Sequence, residues 1–376
     1  MASELKQSDL RNWQLLAQFR RRLEPHLAAV PQKSTEEDPR RQLLAEDYFC
    51  LLLFGLFNPA LKSMRALCHA SARFEKMRQV CSRPVAAASF SEAQHVFEPE
   101  VLAGVLRGLA QEASGRMEFG EWRVRQAVQA LTVVDATVLR ALNRMAWAPA
   151  SGHGCAIKLH LHFSVFDQIP EDWTITPGKV CERKTWKGKA QPGVFYVADR
   201  LYGDDQGFIK KLQEQGSHFV MRLPANVRRV ALGTPRVLSA PDLAAGVLSD
   251  RLEQLGVREN GPVVRVVEIH TAGKVLILIS NRQDLPAEII GLIYHYRWQI
   301  ELFFKWFKMI LGHRHWLAES PRGVALQLYS ALIATLLLIL LTGQRPTKRQ
   351  MEAIYLYFVG FATEEELLRE LSLQKN

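Results

Sequence analysis

The chain has 376 residues, enough for two or three domains and an ample buried core. It carries 48 Lys and Arg against 38 Asp and Glu, a net charge of +10, which favours a polyanionic partner, either nucleic acid or an anionic membrane surface. The five cysteines (Cys50, Cys68, Cys81, Cys155, Cys181) are odd in number and lack C-x2-C spacing, which argues against a disulfide scaffold or a zinc ribbon and fits reduced thiols in a cytoplasmic protein.

The opening MASELKQSDLRNW has no apolar signal-peptide core. Residues 1–120 read as helical, because LRNWQLLAQFRRRLEPHL and RQLLAEDYFCLLLFGLF repeat apolar residues at helical spacing. Asn58-Pro59 predicts an N-cap followed by proline at the first helical position, and Ser89-x-x-Glu92 predicts a capping box. Scattered arginines (Arg20, Arg21, Arg22, Arg40, Arg41, Arg73, Arg78, Arg83) suit a DNA-binding module and equally a helical bundle with solvated charges.

From about residue 130 the pattern changes to short β-branched or aromatic runs: LTVVD, AIKLHLHFSVF, WTITPGKV, VFYVAD and HFVMRL. A helix over 204–215 separates the last two, with Asp204 and Asp205 expected at its N-cap. VVRVVEIHTAGKVLILISN predicts a hairpin turning at Ala272-Gly273. His160 and His162 alternate on a strand and His313 and His315 lie near a helix end, but neither pair has a third metal ligand at a recognisable spacing. The most apolar stretch, 331–341, is shorter than the roughly 20 residues of a membrane span, so it reads as a buried core helix.

The segment YHYRWQIELFFKWFK places Tyr294, Arg297, Glu301 and Lys308 at steps of 3, 4 and 7. At about 100° per residue, a continuous helix brings all four within roughly 60° on one face. One reading is a face that holds a metal ion with its Glu and phosphates with its Arg and Lys. The other is a solvated helix with Arg297–Glu301 and Glu301–Lys305 as i,i+4 pairs, each worth about 0.2–0.5 kcal/mol. The surrounding Trp, Phe and Ile residues leave little room for a water-facing side.

Y-x2-R-x3-E-x6-K resembles the signature of the insertion-sequence-four family of bacterial DDE transposases. That family has two further carboxylates upstream, each at a strand end. Asp135 in LTVVDATVL and Asp199 in FYVADRLYGD occupy those places, the second in a segment similar to the family's D-R-G-Y box with Leu201 in place of Gly. The resemblance covers roughly residues 85–345.

It implies an α/β fold: a ribonuclease-H-like catalytic core with a β-rich insertion, preceded by an all-helical N-terminal region. The expected segments are 1–125 (helical, DNA-binding), 126–223 (first part of the core), 224–284 (insertion), 285–345 (second part, with the Glu301 helix) and 346–376 (C-terminal helices). The interval CERKTWKGKAQPG is too short and polar for the long helix the fold normally has there.

The activity implied is cut-and-paste transposition: binding of terminal inverted repeats, cleavage at the element ends and joining to target DNA. Asp135, Asp199 and Glu301 would hold two Mg²⁺ ions, for which Mn²⁺ can substitute. Tyr294, Arg297, Lys308 and Lys305 would contact phosphates, and Trp298 would be core or a base-stacking platform. The partner implied is double-stranded DNA, bound by a homodimer in the synaptic complex, in the bacterial cytoplasm at the nucleoid and not at a membrane. The alternative is an inactive DNA-binding relative that represses transposition. The family's hairpin intermediate uses a Trp of the insertion to trap a flipped base. Residues 224–284 contain no Phe, Trp or Tyr, so the ring is expected from Trp298, or less directly from Tyr202 or Trp186.

Overall fold

The structure, a computed structural model, describes residues 14–30, 42–117, 119–186, 189–256, 260–312, 316–345 and 347–372. His313, His315, Arg40 and Arg41 lie outside them. In chain order the elements are α1 Gln14–Ala29, α2 Ala45–Phe57, α3 Met64–Arg73, α4 Ala87–Val96, α5 Pro99–Ala113, α6 Trp122–Ala127, β1 Leu131–Arg140, β2 Ala156–Ser164 and β3 Ile169–Pro177. There follow α7 Glu182–Trp186, β4 Phe195–Ala198, α8 Arg200–Gly203, α9 Gln206–Glu214, β5 His218–Arg222, β6 Arg229–Leu232, α10 Ala240–Ala244, β7 Val247–Leu255, β8 Val263–Thr271 and β9 Lys274–Ser280. The chain continues with α11 Ala287–His295, α12 Trp298–Leu311, α13 Pro321–Thr342, α14 Lys348–Phe358 and α15 Glu364–Ser372.

Two compact units result. A helical unit combines Met1–Met117, Arg140–Cys155 and Phe304–Asn376, and a sheet unit combines Glu118–Leu139 and Ala156–Phe303. In the helical unit, α13 runs well beyond 331–341. It is long and apolar enough to cross a membrane, but its side chains are mostly buried against α5, α2, α4 and α1. A helix apolar on every side belongs in a protein interior, and α2, buried from Asp47 to Phe57, follows the same rule. Ser320 caps α13 through the Gly323 amide, and Gly343 ends it with φ 68°.

Two of the predicted caps fall elsewhere. Asn58 closes α2 and accepts from the Ala60 and Leu61 amides, while α3 starts six residues on, with Ser63 as its cap. Ser89 lies inside α4, whose N-cap is Ala86, so no capping box forms with Glu92.

The sheet unit is built on one nine-stranded sheet, ordered β3-β2-β1-β4-β5-β9-β8-β7-β6. β2 and β3 pair antiparallel, whereas β1–β4 and β4–β5 pair parallel. This is a ribonuclease-H-like arrangement, and its central strands are apolar runs buried on both faces, as parallel strands require. Among the described residues between β3 and β4, the one helix is the five-residue α7, in keeping with the short polar interval. Its Trp186 is fully buried and packs against Tyr196, Tyr202 and Phe208.

The insertion does not form a sheet of its own. β9 joins β5 antiparallel, with Val220 opposite Ser280, and β8, β7 and β6 continue outward. β8 and β9 turn at Ala272-Gly273, both with positive φ, as the hairpin motif predicted. β6 and β7 went unrecognised in the sequence. Asp205 caps α9 through the Phe208 amide, but Asp204 instead pairs with Arg183 at 2.7 Å.

Candidate active site

The first aspartate stands on β1. Contrary to the expectation of a strand end, it is the fifth residue of a ten-residue strand. The pairing of β1 with β4 stops before it, at Val133 opposite Val197. Each pair in that ladder is offset by 64 residues (Leu131 with Phe195, Thr132 with Tyr196), the same spacing in sequence that separates Asp135 from Asp199 just beyond its end. The two carboxylates share one neighbourhood, close enough for the Asp199 charge to act on Asp135.

Asp199 directly follows β4, and its side chain accepts from the Leu201 amide at 2.8 Å. It thus makes the Asx turn that opens α8, and so combines the structural role weighed for it with a position beside Asp135. The Asp135 carboxyl accepts from the Ala136 amide at 2.8 Å. Burial pushes its pKa up to about 7, the charges of Asp199 and Glu182 add to the rise, and the Ala136 amide and Arg297 oppose it. Glu182, on α7, is a carboxylate of this neighbourhood that the sequence did not single out, and it pairs with Lys158 of β2 at 3.1 Å. Its interval reads as a polar loop, and only its place after β3 could have drawn attention to it.

The motif segment differs from the single helix expected. α11 ends at His295 and α12 starts at Trp298. Between them the chain tightens into i→i+3 turns, from Tyr296 N to Ile293 O and from Arg297 N to Tyr294 O. At this break the Tyr296 hydroxyl accepts from the Glu121 amide at 2.7 Å, and its ring packs edge-on against Phe119. The break still keeps three of the four motif residues together. Arg297 pairs with Glu301 at 2.6 Å, and its guanidinium lies 6.0 Å from the centre of the Tyr294 ring. Burial works against the Arg297 charge, yet Tyr294, Glu301 and Asp135 hold its pKa above the ordinary value. The Arg297 charge thus reaches Asp135 while its guanidinium pairs with Glu301. Lys305 and Lys308 are exposed further along α12.

Trp298, for which a core position was the default, is 55% exposed. With Tyr294 and Arg297 it lines a cavity of about 480 Å³, whose other walls include His270 and Leu276 of the β8–β9 hairpin and Glu121 and Arg123 beside α6. Trp186 and Tyr202 are fully buried, which removes both as stacking surfaces for a base. His160 and His162 are packed beneath the sheet surface, with Thr176 and Thr185 against His160 and Trp186 and Tyr196 against His162. All five cysteines are free.

Among the described residues, no three His, Cys, Asp or Glu side chains are drawn into one chelating group, and Glu301 is turned to Arg297. The donor chemistry nevertheless fits a hard divalent cation: two neighbouring carboxylates, one of them made more basic chiefly by burial, with a third carboxylate on Arg297, whose charge also acts on Asp135.

The transposase DDE domain family matches residues 127–337. The chain is 29% identical over 235 residues to a Geobacillus stearothermophilus protein named as the transposase of an insertion sequence element, which covers 61% of each chain. It is 27% identical over 219 residues to a Sinorhizobium fredii protein named as a transposase, covering 57% of this chain and 61% of that one. A Synechocystis protein, also named as an insertion-sequence transposase, is 25% identical over 302 residues, 76% of this chain and 82% of its own. The chain thus spans about three fifths of the length of the first two relatives. With more than half of its length matched, and the paired aspartates and the Glu301 helix inside the matched region, the chain belongs to the transposase DDE domain family.

Proposed function

We propose that this chain is a cut-and-paste DNA transposase that binds the inverted repeats at the ends of its element, cleaves there and joins the ends to target DNA as a dimer. The observation that carries the proposal is the surroundings of Asp135, where the charges of Asp199 and Arg297 both act on its carboxyl and Arg297 in turn pairs with Glu301 at 2.6 Å. Asp135, Asp199 and Glu301 would hold divalent metal ions, with Mg²⁺ the best match to oxygen donors. When bound, such ions supply Lewis acidity to an in-line displacement at phosphorus. The chain's own contribution is positional. Asp135 on β1 and Asp199 after β4 would supply neighbouring carboxylates, and Arg297 offers a planar pair of donors suited to a phosphate. Lys305 and Lys308 add point charges along α12. Trp298 presents an exposed ring next to Arg297, able to stack on an unpaired base.

The test is a paired assay on duplex DNA carrying the terminal sequence of the element. Asp135→Asn and Asp199→Asn are expected to reduce Mg²⁺-dependent nicking below detection. Both should leave the gel-shift affinity within about twofold, because affinity for the ends comes mostly from cations on phosphates. Nicking by either variant at the parent rate would refute the assignment.

A further inference from the structure

We propose that the exposed face of α3, with the loop before it and the turn after it, is a surface that this chain lays against duplex DNA. The proposal rests on the transposase reading above and adds to it the element that makes the contact. Half of the chain's net charge lies here: residues 58–91 hold six Lys and Arg against a single Glu, a net +5 of the total +10. All six cations (Lys62, Arg65, Arg73, Lys76, Arg78, Arg83) are exposed, and none forms an ion pair with any described residue.

Two of the three arginines of α1, Arg20 and Arg22, behave differently. Arg20 pairs with Glu46 at 2.9 Å and Arg22 with Glu112 at 2.7 Å, so they hold the bundle together. Within 58–91 the six cations face a single acid, Glu75, so the segment carries an excess of positive charge.

The geometry of α3 suits a groove. Arg65, His69 and Arg73 stand at i, i+4 and i+8, within about 80° of one another along the helix. Ala72 lies in the same stripe and is also exposed, so no bulky group holds a ligand away. At the end of the stripe Phe74 is 57% exposed, its ring 6.1 Å from that of His69. An aromatic among cations is apt for sugar and base edges. The opposite face is fixed, with Leu67, Cys68, Ala70 and Ser71 buried and Ser71 Oγ accepting from the Val85 amide at 2.9 Å. A ten-residue helix is about 15 Å long, and the major groove is about 12 Å wide, so the stripe can lie within it while Lys62, Lys76, Arg78 and Arg83 flank it at phosphate positions.

The experiment uses the full-length chain and a fluorescein-labelled 40-bp DNA duplex, followed by anisotropy from 50 to 300 mM KCl. Arg65→Gln/Arg73→Gln is expected to lower the steepness of log K against log[salt] by about 2 and to weaken binding about tenfold at 150 mM. Arg107→Gln/Lys348→Gln removes the same charge from exposed positions on α5 and α14 and should leave the steepness unchanged. An α3 variant that binds like the parent, or a control that loses as much, overturns the proposal. So does tighter binding of the parent to an RNA duplex of the same sequence, lost in the α3 variant. Thermal melts of all three proteins should coincide, since every substituted side chain is exposed. A parent that nicks end DNA while the α3 variant binds normally removes this surface and leaves the transposase reading. A parent that never nicks, with binding lost in the α3 variant, does the reverse.

Discussion

His160 is held between two hydroxyls, with Nε2 2.8 Å from Thr176 Oγ1 and Nδ1 3.3 Å from Thr185 Oγ1. Burial, with Lys158 and Lys189 adding to it, lowers its pKa to about 4. The unfolded imidazole takes up a proton near pH 6.5, which the folded one refuses until about pH 4. Stability from this group is therefore complete above pH 6.5 and declines on acidification through that window, by about 1.4 kcal/mol per pH unit. Asp135 works in the opposite direction, because its raised pKa favours the folded form as pH falls below 7. The informative quantity is thus the difference between parent and variant. In urea denaturation from pH 4.5 to 6, His160→Gln should show a stability-against-pH slope shallower than the parent's by about 1.4 kcal/mol per unit; parallel curves would show that His160 titrates normally. At this scale the sequence was informative where spacing reflects pairing. The 64 residues between Asp135 and Asp199 are the register offset of β1 and β4. It was uninformative for Trp186, Tyr202 and Trp298, whose burial depends on which side of a short helix or turn faces the core.

The β8–β9 hairpin turns through Ala272 at φ 46° and Gly273 at φ 75°, both in the left-handed region that a two-residue hairpin of this twist requires. Gly accepts that conformation freely, while the Cβ of Ala resists it at roughly 1 kcal/mol. Ala272→Asn should therefore raise stability by about 0.5–1 kcal/mol, read as a higher urea midpoint at constant m-value, and an unchanged or lower midpoint would contradict the turn assignment. The hairpin was legible because its signal is local. The cap expected at Asn58 and the capping box at Ser89 rested on local signals too, but there tertiary packing settled where α2, α3 and α4 begin and end. The single helix expected from Tyr294 to Lys308 failed for a related reason. Nothing within the segment announces that the Tyr296 hydroxyl will meet the Glu121 amide 175 residues away in sequence.

The ribonuclease-H-like fold was expected from the order of strands and helix together with the family resemblance, but the full width of the sheet was not. β7 reads VLSDRLEQL, too charged for a buried strand, because Asp250 is matched by Arg265 on β8. Arg265 is 1% exposed, grips both Asp250 oxygens at 2.8 and 2.7 Å, and donates to the Leu285 and Arg282 carbonyls. Asp250→Ala leaves that guanidinium buried and unpaired, which should cost about 3–5 kcal/mol. Since β9 is bonded to β5, the loss should spread. Hydrogen exchange is expected to quicken together at Val266 of β8 and Val220 of β5, and acceleration confined to β6–β9 would mean that the insertion unfolds by itself. A sheet of nine strands also ends in two open rims of unsatisfied backbone groups, which can template the addition of a strand from another molecule. β3, at one rim, contains Pro170 and Pro177, which have no N–H to offer. β6, at the other, is four residues long and is followed by Gly233 and Pro235. Both rims are thus poor templates, so copies at high concentration are protected from accreting through their sheets.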